Sequence, residues 1–196
     1  FLGIRVPVLR KLARRYRHLP MPSIRPLLRS RWHEERLLAL LILVEQSKSG
    51  DEAQRRAIRD CYLQHTRYIN NWDLIDLSAP NLLGPFAENE CRDTVNTLAR
   101  SRQWWERRIA IMATLHCIRQ NRFEPTLEIA TLLLNDTHDL IQKAVGWMLR
   151  EVGNRDRHTA ESFLQSRYRS MPRTMLRYAI EKYPEQLRQR YLHGKV

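Results

Sequence analysis

The residues best suited to chemistry lie in one stretch, Asn70-Asn71-Trp72-Asp73-Leu74-Ile75-Asp76-Leu77-Ser78-Ala79-Pro80. Trp72 and Asp76 stand four residues apart, a spacing that puts an indole and a carboxylate on one face of a helix. A flat aromatic surface beside a carboxylate can hold a cation or an electron-poor ring. Asp76 sits among Leu74, Ile75 and Leu77, which give a charge nothing. The competing reading is structural: Trp72 is core, and Asp76 caps a helix or pairs with a neighbouring cation.

A helix must position these groups. Asn70 or Asn71 suits its N-cap, because a short side-chain oxygen can accept from the free N–H groups of the first turn. Asp73 falls in that turn, where the helix dipole favours negative charge. Pro80 is expected to close the helix, since the residue before a proline is pushed out of helical geometry. Periodicity predicts further helices over 7–17, 22–30, 33–47, 51–68 with Asp51 as cap, 88–101, 104–119, 126–134 and 139–152, the last stopped by Gly153. Three more follow at about 155–169, 172–182 and 184–191, with a loop expected over 80–85. No stretch alternates as a strand does, so the expected class is all-α.

The helices repeat. Glu35-Arg36-x-x-Ala39 recurs as Glu106-Arg107-x-x-Ala110 and Gln142-Lys143-x-x-Gly146, and Asn71 takes the slot between the first two, giving spacings of 36, 35 and 36 residues. Each unit holds two helices, and the small residue lets neighbours approach closely. The pattern predicts an α-solenoid of HEAT-like repeats whose second helices line a concave, basic groove. Counted from slot zero at these positions, Asp76 and Trp147 share slot five, Arg108 is one turn earlier in slot two, and Trp72 is in slot one. Other repeats fill the same lane with Leu37, Leu40, Ile111 and Ala144. A carboxylate, an arginine and two indoles break an apolar rule in adjacent repeats, as functional sites do.

The charge names the kind of partner. The net charge is +13 and the pI about 10.4; only five of the 34 basic residues are lysine. The planar guanidinium grips phosphate oxygens in pairs. Nine cations and no acid occur between Phe1 and Arg31, and six arginines with only Glu106 between Arg100 and Arg122. Nucleic acid fits this footprint better than an acidic protein or a membrane surface. No apolar run is long enough to span a membrane. Cys61, Cys91 and Cys117 are far apart and odd in number, which fits a reducing compartment and small buried thiols. The seven histidines lack ligand spacing, and no glycine-rich phosphate loop or Ser/His/Asp order appears, so neither metal nor cofactor is expected.

Four stretches together resemble the AlkD family of DNA alkylation repair glycosylases, which are HEAT-like repeat proteins. They are Asn71 to Asp76, Trp105-Glu106-Arg107-Arg108-Ile109-Ala110, Asp139 to Gly153, and Met171 to Ala179. The resemblance covers essentially the whole chain. It implies removal of N3- and N7-alkylated purines from double-stranded DNA by hydrolysis of the N-glycosidic bond, with the lesion left in the duplex. It places the catalytic aspartate at Asp76, the site tryptophans at Trp72 and Trp147, and the groove arginine at Arg108. It also implies one domain over 1–196, lacking one or more N-terminal helices, since Phe1 to Pro7 resembles a segment that follows an earlier helix in the family. Arg36, Arg107, Arg150, Arg173 and Arg177 either reach DNA or pair with Glu35, Glu106, Glu151 and Glu181 to hold repeats together. No lysine neighbours Asp76, so a monofunctional hydrolase without Schiff-base chemistry is expected; a monomer in the bacterial cytosol or nucleoid is expected as well. The alternative is a non-catalytic scaffold for branched DNA or RNA, resting on charge alone.

Overall fold

A computed structural model describes all residues 1–196 and is entirely helical, with thirteen α-helices and two short 3-10 turns. The chain divides into two compact units, Phe1–Leu83 and Gly84–Val196.

The first unit contains α1 (Val6–Arg15), α2 (Met21–Leu28), α3 (His33–Ser49), α4 (Glu52–Gln64) and α5 (Trp72–Leu82). The middle of α3, residues 37–44, is apolar on every side, as a helix surrounded by others must be. Leu37, Leu40, Ile42 and Leu43 are all buried, and α1, α2, α4 and α5 pack around them. Buried Gln46 donates from Nε2 to the carbonyls of Arg17 (2.9 Å) and Leu19 (2.7 Å), fixing the turn between α1 and α2. Asp51 caps α4 as expected, accepting from the Gln54 amide.

The second unit contains α6 (Arg92–Ala99), α7 (Trp104–Ala113), α8 (Leu115–Arg119), α9 (Glu124–Leu132), α10 (Asp139–Arg155), α11 (Arg157–Gln165), α12 (Arg173–Ala179) and α13 (Glu185–Leu192). Helix α10 is its axis, packed by α7, α11 and α12. Gly146 permits the closest of these approaches: a methyl there would overlap the Met175 carbonyl and the Tyr178 Cβ. The three cysteines are buried and unbridged.

Four boundaries depart from the expectations. Pro80 does not close α5, which continues to Leu82 without the bond that an N–H at position 80 would give to the Asp76 carbonyl. Leu83 then donates to the Ala79 carbonyl at 3.1 Å. Residues 80–82 are therefore helix, not loop. The expected helix 104–119 is split at buried Thr114, whose hydroxyl turns back onto the Ile111 carbonyl at 2.7 Å. The expected helix 88–101 begins only at Arg92, after turns. Gly153 does not stop α10 but lies inside it, where its missing side chain lets Ala160 of α11 approach.

Two outcomes check this packing. Gly146→Ala should lower stability by about 1–3 kcal/mol, the usual penalty for an overpacked core, read as a lower urea midpoint with an unchanged slope. Burial also pushes the Cys61 and Cys117 thiols up, away from the reactive thiolate. Both should resist thiol reagents in native protein and react on unfolding.

Candidate active site

Helix α5 is built with two faces. Leu74, Ile75, Ser78, Ala79 and Leu82 are buried, whereas Trp72, Asp73, Asp76 and Leu77 are not. The split follows the 3.6-residue period, so Trp72 and Asp76 stand one above the other on the uncovered face. Trp72 is 52% exposed, an unusual state for so large an apolar ring. Asp76 is half-buried, and its charge lies near enough to the Tyr62 phenol to add to the main effect there, burial, which pushes that phenol above its ordinary value.

The start of α5 is held closely. Asn71 is the N-cap, its Oδ1 accepting from the Trp72 amide at 2.8 Å. Asp73 Oδ1 accepts from the Leu74 amide at 2.9 Å, and Oδ2 meets His33 Nε2 of α3 at 2.7 Å. Inside the helix, the Ser78 hydroxyl donates to the Leu74 carbonyl at 2.5 Å.

The other two lane residues belong to the second unit. Trp147 lies half-buried on α10, and its indole N–H donates to Glu151 Oε1 one turn later at 2.9 Å. Arg108 on α7 is only 5% exposed and donates from one terminal nitrogen to the Leu140 carbonyl.

The remaining arginines fall into different roles. Arg36 donates to the Ser30 carbonyl (2.8 Å) and to Asn70 Oδ1 (3.2 Å). Arg107 makes the matching bonds, to the Ser101 carbonyl (3.0 Å) and to Asp136 (2.6 Å). Each clamps the loop before its own helix and reaches the loop before a later one, α5 for Arg36 and α10 for Arg107. Burial pulls the Arg36 guanidinium below its ordinary value, opposed by Asp73 and Glu34. Arg150 pairs with Glu181, and Arg173 donates to the Leu192 carbonyl at 2.7 Å. Arg177 is exposed and carries no ion pair.

Sequence reasoning missed the loop clamps and the His33–Asp73 contact. The clamps had a legible signal: Ser30, Ser101 and Asp136 recur at intervals of 71 and 35 residues, in step with the repeat. Their side-chain oxygens accept from the amides of Trp32, Gln103 and His138, so the interval is written in hydrogen bonds as well as in letters.

An all-helical protein carrying a carboxylate and an indole on one uncovered helix face is thus defined. The family model for DNA alkylation repair enzymes matches residues 1–183, and the chain belongs to that family. Its role is therefore in DNA repair. Two solved structures share the fold. One, described as a predicted DNA alkylation repair enzyme from Enterococcus faecalis, is 16% identical, with a TM-score of 0.72 over 94% of this chain and 89% of that chain. The other, smu.31 from Streptococcus mutans UA159, is 15% identical, with a TM-score of 0.64 over 92% of both chains. No curated protein matches the sequence.

The division among the arginines is open to measurement. Arg107→Gln should destabilise the protein by about 3 kcal/mol, because it leaves the Asp136 carboxylate buried without its partner. Arg177→Gln should leave the denaturant midpoint within about 0.5 kcal/mol of the parent.

Proposed function

We propose that this protein hydrolyses the N-glycosidic bond of N3- or N7-alkylated purines in duplex DNA. The observation that carries the reading is the position of Asp76 and Trp72, four residues apart on the face of α5 that lies away from its buried residues. An alkylated purine of this kind bears a positive charge. Its bond to the sugar is weak, because the base departs with the bonding electrons as a neutral molecule. The enzyme has two tasks: to stabilise the cationic, oxocarbenium-like sugar that develops at C1′, and to deliver water to it.

A fixed carboxylate serves the first task electrostatically, since its charge opposes the charge that develops and needs no reorganisation when the bond breaks. It serves the second by accepting a hydrogen bond from the attacking water and passing the proton to solvent. The Trp72 ring covers one side of the cation. Trp147, on the second unit, is assigned a further aromatic surface for DNA. The lesion stays in the duplex, and the protein grips the sugar and backbone. The reaction ends at an abasic site with an intact strand.

DNA affinity is assigned mainly to cations that are open to solvent. No carboxylate precedes Glu34 in the sequence, and all nine cations of the first 31 residues are exposed. Arg177 adds to them. Arg36 and Arg107 have donors committed to loop carbonyls and act chiefly as braces. Arg108 is buried and acts as a fixed charge more than as an open phosphate clamp. Arg150 and Arg173 contribute what their existing partners leave available.

Two outcomes follow. Asp76→Asn should bind undamaged duplex as the parent does and release 7-methylguanine at least about 100-fold more slowly in single turnover, as expected for loss of a preorganised charge. Equal release by both proteins would reject the catalytic assignment, and preferential binding of junctions with no base release would favour a scaffold instead. Neutralising Arg10, Lys11, Arg14 and Arg15 together should flatten the dependence of log affinity on log salt by about 0.9 for each phosphate that the protein no longer neutralises.

A further inference from the structure

We infer that His33 and Asp73 form a positioning clasp that sets the rotation of α5 about its own axis and so aims Asp76 and Trp72. The inference rests on the proposed role of Asp76, but the clasp has a readout that does not depend on catalysis.

His33 is the first residue of α3 and only 7% exposed. Its Nε2 lies 2.7 Å from Asp73 Oδ2, and since a carboxylate only accepts, Nε2 carries the proton. The Phe1 ring packs against the imidazole at a centroid distance of 4.7 Å. Asp73 spends its other oxygen on the Leu74 amide, inside the first turn of α5. One carboxylate therefore ends the helix and ties it to its neighbour. Three residues beyond His33, Arg36 reaches Asn70 Oδ1 at 3.2 Å, directly before the N-cap Asn71. Helix α3 thus holds the entry to α5 at two points, residues 70 and 73, on either side of Trp72.

The position of Asp73 makes this hold a control on aim. At about 100° per residue, Asp73 lies roughly 60° around the helix from Asp76 and about 100° from Trp72. A bond at Asp73 adds a directional restraint on rotation of α5 to the packing of its buried face, made of Leu74, Ile75, Ala79 and Leu82. With side chains reaching about 5–6 Å from the axis, a roll of about 10° displaces the Asp76 carboxylate by about 1 Å. A misplacement of that size can cost about 100-fold in rate. Pro80 raises the demand further. It has no N–H to give to the Asp76 carbonyl, so the turn carrying Asp76 lacks one rung of its helical ladder and leans on the anchored first turn.

The test uses the full chain labelled with 5-fluorotryptophan, the Trp72 signal being assigned by Trp72→Phe, together with single-turnover release of 7-methylguanine at saturating enzyme. His33→Phe keeps the ring contact with Phe1 and removes the bond; Asp73→Asn keeps an acceptor for Nε2–H and gives up the acceptor for the Leu74 amide. His33→Phe should shift or broaden the Trp72 fluorine resonance and slow base release about 10- to 100-fold, with affinity for undamaged duplex within about twofold of the parent. Asp73→Asn, which still accepts from Nε2–H, should keep the parent resonance and most of the rate although its bond to the Leu74 amide is lost, so that a change in stability alone does not account for the difference from His33→Phe. An unshifted Trp72 resonance in a folded His33→Phe protein would overturn the clasp. A shifted resonance in a protein whose parent releases no alkylpurine would keep the clasp and reject the glycosylase reading. Should His33→Phe fail to fold, Asp73→Ala carries the same comparison.

Discussion

The arrangement depends on how α5 divides its surface. Leu74, Ile75, Ala79 and Leu82 must leave water, and each large aliphatic side chain among them is worth about 1.5–3 kcal/mol on burial. With those residues turned inward, the 3.6-residue period leaves Trp72, Asp73, Asp76 and Leu77 no place but the other side. The same force that secures the helix thus sets which side of it the carboxylate takes. Burying Asp76 instead would strip water from a charge and turn the apolar side outward, and the two costs reinforce each other.

A chain this cationic has to hold itself together while keeping positive charge on display. It does so by dividing labour among its arginines. Arg36 and Arg107 spend their donors on carbonyls and carboxylates of the loops between repeats, where the five-pronged fork satisfies backbone groups that would otherwise be stranded. Arg92, Arg122, Arg150 and Arg157 pair with glutamates. The cations ahead of Glu34 have no acid of their own in sequence and remain exposed. Mutual repulsion there weakens the folded state slightly and is relieved when an anionic polymer binds.

Much of this was legible in the sequence. The all-α class followed from apolar periodicity. Gly146 was expected to let helices meet closely, and α10 and α12 do so at that point. That Trp72 and Asp76 share one side of a helix followed from their spacing. Two proline and glycine boundaries did not follow, for a shared reason: packing on both sides outweighed the local preference of Pro80 and Gly153 to end a helix. Thr114 gave no signal as a break, because its hydroxyl bond to Ile111 depends on the turn already being formed. The His33–Asp73 contact joins residues 40 apart, and no local pattern encodes such a meeting. The Trp147–Glu151 bond, by contrast, spans a single helical turn and could be read from spacing.

The claim at the centre is that this fold eases a charged purine off its sugar without cutting the strand. The most direct measurement incubates the purified chain with methylated duplex DNA, quantifies free base in solution, and follows strand length before and after alkali. Free 7-methylguanine or 3-methyladenine should accumulate, with strands that stay whole until alkali opens the abasic sites. Tight binding with no free base, or strands broken before alkali is added, would contradict the account.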